Sequence, residues 1–334
     1  MSFTRPAIVL FLLIALVSVL SLRHGHEERP VTVERSRIIM GTVVVITVIG
    51  EKEADLDEAV TAAFDEMGRL EQLLSPHLTD SEVARLSRSD HSMKVSADTL
   101  NVVDLGLKAA RSSQGDFDLT LGRLKDLWSI EGASPRIPSD DRIAEALQGT
   151  GPDSLQIDGS RISKKDPDLH IDLGGIAKGY AVDRALEVLT KRGISHASVN
   201  AGGDLRVRGS KVSRPWRIGI QHPRRKREVI AVVPLENRAL VTSGDYERYF
   251  ELDGVRYHHL FDPKTGRPAR GCMSVSVVAE TTAWADALAT IAFVRGPEKG
   301  IAFLENQEDV EALIIDAEGR RLVTDGLRGR LEWR

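Results

Sequence analysis

The chain has 334 residues, with 45 Lys and Arg against 49 Asp and Glu, for a formal net charge of −4. Its composition, 42% hydrophobic and 28% charged, is that of a globular protein; it excludes a collagen-like or disordered chain, and the slight acidity argues against a nucleic-acid binder that works by neutralising phosphates. The single cysteine, Cys272, excludes an internal disulfide and Cys-rich zinc or iron–sulfur sites.

Residues 7–22 read AIVLFLLIALVSVLSL and follow Arg5. At 1.5 Å per residue this run spans about 24 Å, short of a ~30 Å hydrocarbon core, so it fits a signal-peptide core or a short signal anchor. It contains no A-x-A cleavage pattern and no lipoprotein cysteine. Residues 1–29 are therefore expected to be a signal peptide or N-terminal membrane anchor, with 30–334 as the folded part. The β-branched run 38–48 reads as a strand with one glycine interruption. Residues 53–74 place Leu56, Ala59, Val60, Ala63, Phe64, Met67, Leu70 and Leu74 at helical spacing. Short helices are expected over 81–86 and over 96–112, the latter with Ser96 as its cap. Strands are expected over 155–162 and 169–173, then a helix over 177–192 stopped by Gly193. Strands follow over 197–200, 204–208, 216–221, 229–234, 239–242, 247–252 and 273–278. A helix over 282–294, a second over 298–305, and a hairpin formed by 310–316 and 320–323 complete the pattern. There is no steady β-α-β alternation, so the fold class is α+β, with mixed, largely antiparallel sheets and packed helices. The basic cluster Arg224 to Arg227 sits in a loop, readable as a solvated face or a docking patch.

Several short motifs carry chemistry. In Asp172-Leu173-Gly174-Gly175-Ile176-Ala177-Lys178 a glycine pair leads into a helix. Helix-start N–H groups and a lysine favour anionic oxygens, so the turn reads equally as a structural element or a pyrophosphate cradle. Asn200-Ala201-Gly202-Gly203-Asp204 reads as a β-turn between strands. Lys264-Thr265-Gly266 matches one serine β-lactamase motif, but no serine lies three residues before a lysine, which excludes that chemistry. His258 and His259 are adjacent on a strand and must face opposite ways, so at most one serves a given site as base; the alternative is a hydrogen-bonded structural histidine. Asp286 and Thr290 lie four apart on a helix of small residues and share a face. Their hard oxygens suit Mg²⁺ better than Zn²⁺, unless Asp286 is simply hydrogen-bonded. Phe117-Asp118-Leu119-Thr120 could set an aromatic beside a planar ligand, or pack in the core.

Taken in order, these blocks, with Met40-Gly41-Thr42, 75–86, Thr242-Ser243-Gly244-Asp245-Tyr246 and His259-Leu260-Phe261-Asp262-Pro263, resemble one family closely. They are similar to the ApbE-like FAD:protein FMN transferases, formerly called thiamine-biosynthesis lipoproteins. The resemblance covers nearly the whole chain after about residue 35. It implies FAD bound in a central cleft, Mg²⁺-assisted cleavage of its pyrophosphate, attachment of FMN to a Thr or Ser of a target protein, and release of AMP. Carried over by position, Met40, His77, Asp116, Phe117, Asp118, Asp172, Lys178 and Leu260 would contact FAD. The Gly175 carbonyl, Asp286 and Thr290 would hold Mg²⁺, and His259 would be the base. His77 stands where many relatives have tyrosine, and the usual lipoprotein cysteine is missing. The implied partners are FAD and an acceptor protein, such as a subunit of a membrane redox complex on the periplasmic side of the inner membrane; no nucleic acid is expected. Two other functions remain open: an FAD pyrophosphatase, in which water replaces the acceptor, and a non-catalytic flavin-binding protein.

Overall fold

A computed structural model describes residues 30–132 and 135–334. The apolar run 7–22 and the expected signal or anchor lie outside the described residues; within them, no helix is long and apolar enough to cross a membrane. The centre is an eight-stranded sheet, antiparallel throughout. Its spatial order is Val31–Ile39, Thr42–Gly50, His196–Ala201, Asp204–Arg208, Ala239–Gly244, Cys272–Ala279, Glu311–Asp316 and Arg321–Val323.

The side-chain period of two divides this sheet between two cores. On one face Val44, Ile46, Val48, Val199, Val241, Val275, Val277 and Ile314 meet the helices Glu53–Leu74, Ala177–Lys191 and Thr282–Arg295. On the other, Ile49, Leu205, Val207, Leu240, Val278, Leu313 and Ile315 pack with a three-stranded sheet of Trp216–Gln221, Val229–Leu235 and Glu332–Trp333. The result is three layers, α+β as the element pattern predicts. The Glu53–Leu74 helix has the expected bounds, and all eight of its periodic apolar positions are buried. Each large apolar side chain removed from water stabilises the fold by about 1.5–3 kcal/mol, so this stripe is enough to seat the helix. Ser96 caps its helix as expected, accepting from Thr99 N–H at 3.3 Å.

Three expectations are corrected. The run 38–48 is not one strand but the heart of a hairpin, in which Val31–Ile39 turns at Met40-Gly41 into Thr42–Gly50. Met40 and Gly41 have φ of +53° and +70°, the positive pair that a type I′ turn needs to match strand twist. Residues 155–162 likewise divide into the paired strands Leu155–Asp158 and Arg161–Lys164, with Gly159 in the turn. Residues 169–173 form no strand. Their backbone bonds to loops and a side chain instead: Gly122 N–H to His170 O at 3.0 Å, Ile171 N–H to Ser87 Oγ at 2.9 Å, and Asp172 N–H to Leu119 O at 2.8 Å. The final hairpin is followed by a short helix, Asp325–Arg328, and by the Glu332–Trp333 strand, which the pattern did not reveal.

Candidate functional site

The extended segment ending at Leu173 delivers the glycine pair to the start of the Ala177–Lys191 helix. Asp172 Oδ1 accepts from Gly174 N–H at 3.0 Å, and the Asp172 carboxylate pairs with Lys125. Burial alone would raise the Asp172 pKa, but Lys125 outweighs it and the carboxyl is held below its usual range. Gly175 sits where no side chain fits easily. A Cβ there would stand 3.0 Å from the Phe117 ring and 3.4 Å from Thr290 Oγ1. The glycine-pair turn, the Phe117 loop and the Thr282–Arg295 helix therefore meet at one point.

Behind that point lies a buried cluster of charges. Lys178 Nζ is 3.1 Å from Asp204 Oδ2, an ion contact without hydrogen-bond geometry. Burial disfavours the Lys178 ammonium, but Asp204 and then Asp286 outweigh burial and raise its pKa. Asp286 is buried, and its Oδ2 has no hydrogen-bond partner. Burial first, and the Asp204 charge second, push its carboxyl well above the ordinary value, against Lys178. Asp204 is raised for the same first reason, with Lys178 opposing. Two carboxylates thus share one lysine in a dry place, and the group is short of positive charge.

His259 enters from a separate hairpin, Tyr249–Leu252 with Val255–His258. The ladder continues one step further, with His259 N–H bonded to Arg248 O at 3.2 Å. His258 faces the interior, its Nε2 2.9 Å from Ala269 O, and burial pushes its pKa down to about 4. His259 faces the other way, as strand alternation requires. Its Nδ1 is 3.3 Å from Arg248 O, and a carbonyl can only accept, so Nδ1 carries the proton and Nε2 keeps its lone pair. Burial, then the Arg248 and Lys125 cations, hold this imidazole well below its usual pKa. It is therefore neutral at neutral pH, with the Nε2 lone pair free to accept a proton.

The remaining sequence-derived residues have partners of their own. Asp116 is buried between Lys264 Nζ and Arg295 Nε, each at 2.6 Å. Asp118 accepts from Thr120 N–H at 2.8 Å and Thr120 Oγ1 at 2.7 Å, and burial raises its carboxyl despite those bonds. Leu260 is buried, with its carbonyl accepting from Ala269 N–H at 2.9 Å. Met40 N–H donates to Glu71 Oε1 at 2.8 Å, which ties its turn to the end of the Glu53–Leu74 helix. The neighbouring Thr42 side chain lies against Gly202, two residues before Asp204, where a Cβ would collide with Thr42 Oγ1. His77 is exposed and its N–H bonds only within its own turn, to Ser75 Oγ at 3.3 Å. Sequence reasoning missed Lys125, Arg248 and Arg295, the cations that serve Asp172, His259 and Asp116. The signal for Lys125 and Arg295 is a pair of motif carboxylates, Asp172 and Asp116, with no cation beside them in the chain; Arg248 has none.

Among the described residues no three His, Cys, Asp or Glu side chains converge as a metal-holding cluster. The orphaned Asp286 oxygen, the Thr290 hydroxyl one turn further along the helix and the adjoining Gly175 backbone form a different donor set, all hard oxygens with a single carboxylate. That set fits Mg²⁺, which is commonly held by one or two carboxylates together with substrate phosphates and water.

The chain is similar to known proteins in both sequence and fold. The profile described as the ApbE family matches residues 40–314. A protein of Vibrio cholerae named FAD:protein FMN transferase is 35% identical over 313 residues, covering 91% of this chain and 93% of the relative. Its namesake in Escherichia coli K12 is 34% identical over 280 residues, covering 80% and 79%. The crystal structure of the ApbE protein from Thermotoga maritima superposes with a TM-score of 0.84 at 36% identity, covering 90% of this chain and 99% of that one. The flavin transferase ApbE from Vibrio cholerae gives 0.81 at 32% identity, covering 90% and 100%.

Proposed function

The chain belongs to the ApbE family, and from that premise we propose that it is an FAD:protein FMN transferase. The observation that carries the reading is His259, a neutral imidazole whose Nε2 lone pair is left free by the Nδ1 contact with Arg248 O. A flavin carrier has no use for such a group. A transferase needs it, because a Thr or Ser hydroxyl is a weak nucleophile at neutral pH.

In the proposed reaction the acceptor oxygen attacks the FMN phosphorus of FAD while His259 Nε2 takes the hydroxyl proton. The new phosphoester bond forms as the pyrophosphate bond to AMP breaks, and AMP leaves with the bonding electron pair. Base assistance of this kind contributes roughly 10²–10⁴-fold. Met40, His77, Asp116, Phe117, Asp118, Asp172, Lys178 and Leu260 line the proposed flavin cleft. Asp286, Thr290 and the Gly175 carbonyl would hold Mg²⁺, which when bound neutralises the pyrophosphate oxygens. Phe117, packed against Gly175, keeps water from the rear of this point.

The apolar run 7–22 supports export to the periplasmic face of the inner membrane, with the segment cut or kept as an anchor. A subunit of a membrane redox complex is the acceptor that this location favours. Incubation with FAD, Mg²⁺ and candidate acceptors tests the function, read as in-gel flavin fluorescence together with AMP. Fluorescent acceptor and equimolar AMP are expected. AMP without labelled protein would make the chain an FAD pyrophosphatase instead.

A further inference from the structure

The helix that carries Asp286 and Thr290 has no cap of its own: the Thr281 side chain makes no capping bond. Its first N–H groups are satisfied from outside, by Asp183 on the Ala177–Lys191 helix. Asp183 Oδ1 accepts from Thr282 N–H at 2.9 Å and from Thr282 Oγ1 at 2.8 Å, and Oδ2 accepts from Ala283 N–H at 2.9 Å. Arg206 Nη1 holds the same carboxylate at 2.8 Å from the central sheet. One turn earlier, Gly179 lets the two helices touch. A Cβ at Gly179 would stand 2.7 Å from Thr282 O and 2.8 Å from Ala283 Cα.

We propose that Asp183 is a positioning residue, a carboxylate on one helix that fixes the axial setting of the next and thereby sets the metal affinity of the Asp286–Thr290 face. The inference rests on the metal reading above. The Ala177–Lys191 helix begins two residues after Gly175, so the glycine-pair turn moves with it. Asp286 and Thr290 lie one and two turns beyond Thr282, so they move with the other helix. The Asp183 carboxylate is the bolt between the two. Gly179 removes the steric spacer, and Arg206 anchors the bolt to the strand that also carries Asp204. Mg²⁺ demands oxygen donors near 2.0–2.1 Å in nearly ideal octahedral geometry, so a slide of a few tenths of an ångström between the helices is costly to binding. An outer partner of this kind typically governs 10–100-fold in metal affinity.

The test uses Asp183→Asn, which keeps shape but presents an amide donor to one backbone N–H, and Thr282→Val, which removes one bond to Asp183 and keeps volume. Mn²⁺ binding to the whole protein is read by electron paramagnetic resonance. FAD binding in excess chelator is read by flavin fluorescence, and AMP release is followed against Mg²⁺ concentration. The expected result for Asp183→Asn is a 10–100-fold weaker Mn²⁺ affinity, unchanged FAD affinity in chelator, and AMP release restored at high Mg²⁺. Thr282→Val is expected to weaken Mn²⁺ several-fold in the same pattern, and it carries the test alone if Asp183→Asn does not fold. A folded variant with wild-type Mn²⁺ affinity overturns the proposal, as does one whose FAD affinity in chelator falls as far as its Mn²⁺ affinity. If wild type itself binds no Mn²⁺, the metal reading fails first, and that outcome is distinct from both.

Discussion

Asp286→Asn separates what this carboxylate costs the fold from what it does for a metal. Asp286 Oδ2 is buried without a partner, and a second carboxylate, Asp204, faces the same lysine. A buried polar atom left unsatisfied costs about 1–3 kcal/mol, and more when charged. The amide is neutral and presents a donor to the Asp204 field, so the metal-free variant should gain about 1–3 kcal/mol. At roughly 2 °C per kcal/mol for a chain of this size, that is a rise in Tm of about 2–6 °C. Addition of metal should reverse the order. At 100 times its Kd a cation stabilises wild type by about 2.7 kcal/mol, or about 5 °C, and the variant not at all. The pH dependence follows from the raised carboxyl. Stability linked to protonated Asp286 is full below the unfolded carboxylate value of about 3.9 and is lost as pH rises through the folded value, at up to about 1.4 kcal/mol per pH unit. The metal-free variant should therefore lose less Tm than wild type between pH 5 and neutrality. Thermal melts with and without Mg²⁺, across that range, measure all three effects. A variant that melts lower than wild type in chelator and keeps the full Mg²⁺ shift would refute the reasoning.

Further perturbations follow from the same geometry. His259→Ala should leave FAD affinity near wild type and reduce FMN transfer by 10²-fold or more, measured by acceptor fluorescence; equal transfer in a folded variant removes the base. Because burial and two cations depress this imidazole, the acidic limb of kcat/KM should lie below the ordinary histidine value of 6.5. A limb at or above 6.5 would contradict the electrostatics. Lys178→Ala strands Asp204 without its counter-ion, and breaking a buried pair typically costs about 3–5 kcal/mol, so denaturant melts should show a large loss above the carboxylate range. Its FAD affinity should fall more than its riboflavin affinity, and equal weakening would place Lys178 away from the phosphates. Alkaline phosphatase fused after about residue 40 should be active in a bacterial host; a stable, inactive fusion would indicate a cytoplasmic chain.

The helical part of the fold was legible because its signal is local. Eight apolar residues at 3.6 spacing define the Glu53–Leu74 helix without help from the rest of the chain. The first hairpin was hidden because Met40-Gly41 carries only one of the glycine or asparagine residues that mark a type I′ turn, so one β-branched run looked continuous. Residues 169–173 have strand composition, but their hydrogen bonds go to Ser87 and Leu119, partners that only the tertiary structure supplies. The site divides in the same way. Asp286 and Thr290 were readable as a pair because helical spacing puts them on one face. The cations were not, since Lys125 reaches Asp172 from a separate helix and Arg248 meets His259 only through the pairing of their hairpin. Lys178 was expected to offer its charge to an anion; it meets Asp204 first, because the turn at Gly202-Gly203 aims that carboxylate inward.

The turn at Met40 sets its proposed flavin contact against foldability. A methionine held at φ +53° bears roughly the 1–2 kcal/mol that left-handed backbone imposes on a side chain with a Cβ. Glu71 steadies it through the backbone N–H, a contact indifferent to the side chain, so the backbone here would be better served by asparagine or glycine. A laboratory evolution campaign scored on heat resistance would thus tend to replace Met40 early and count it as progress. One scored on flavin handling should keep it, given the proposed contact. Libraries built from this scaffold should hold position 40 fixed, and should seek their stability in the rear three-stranded layer, across the sheet from the chemistry.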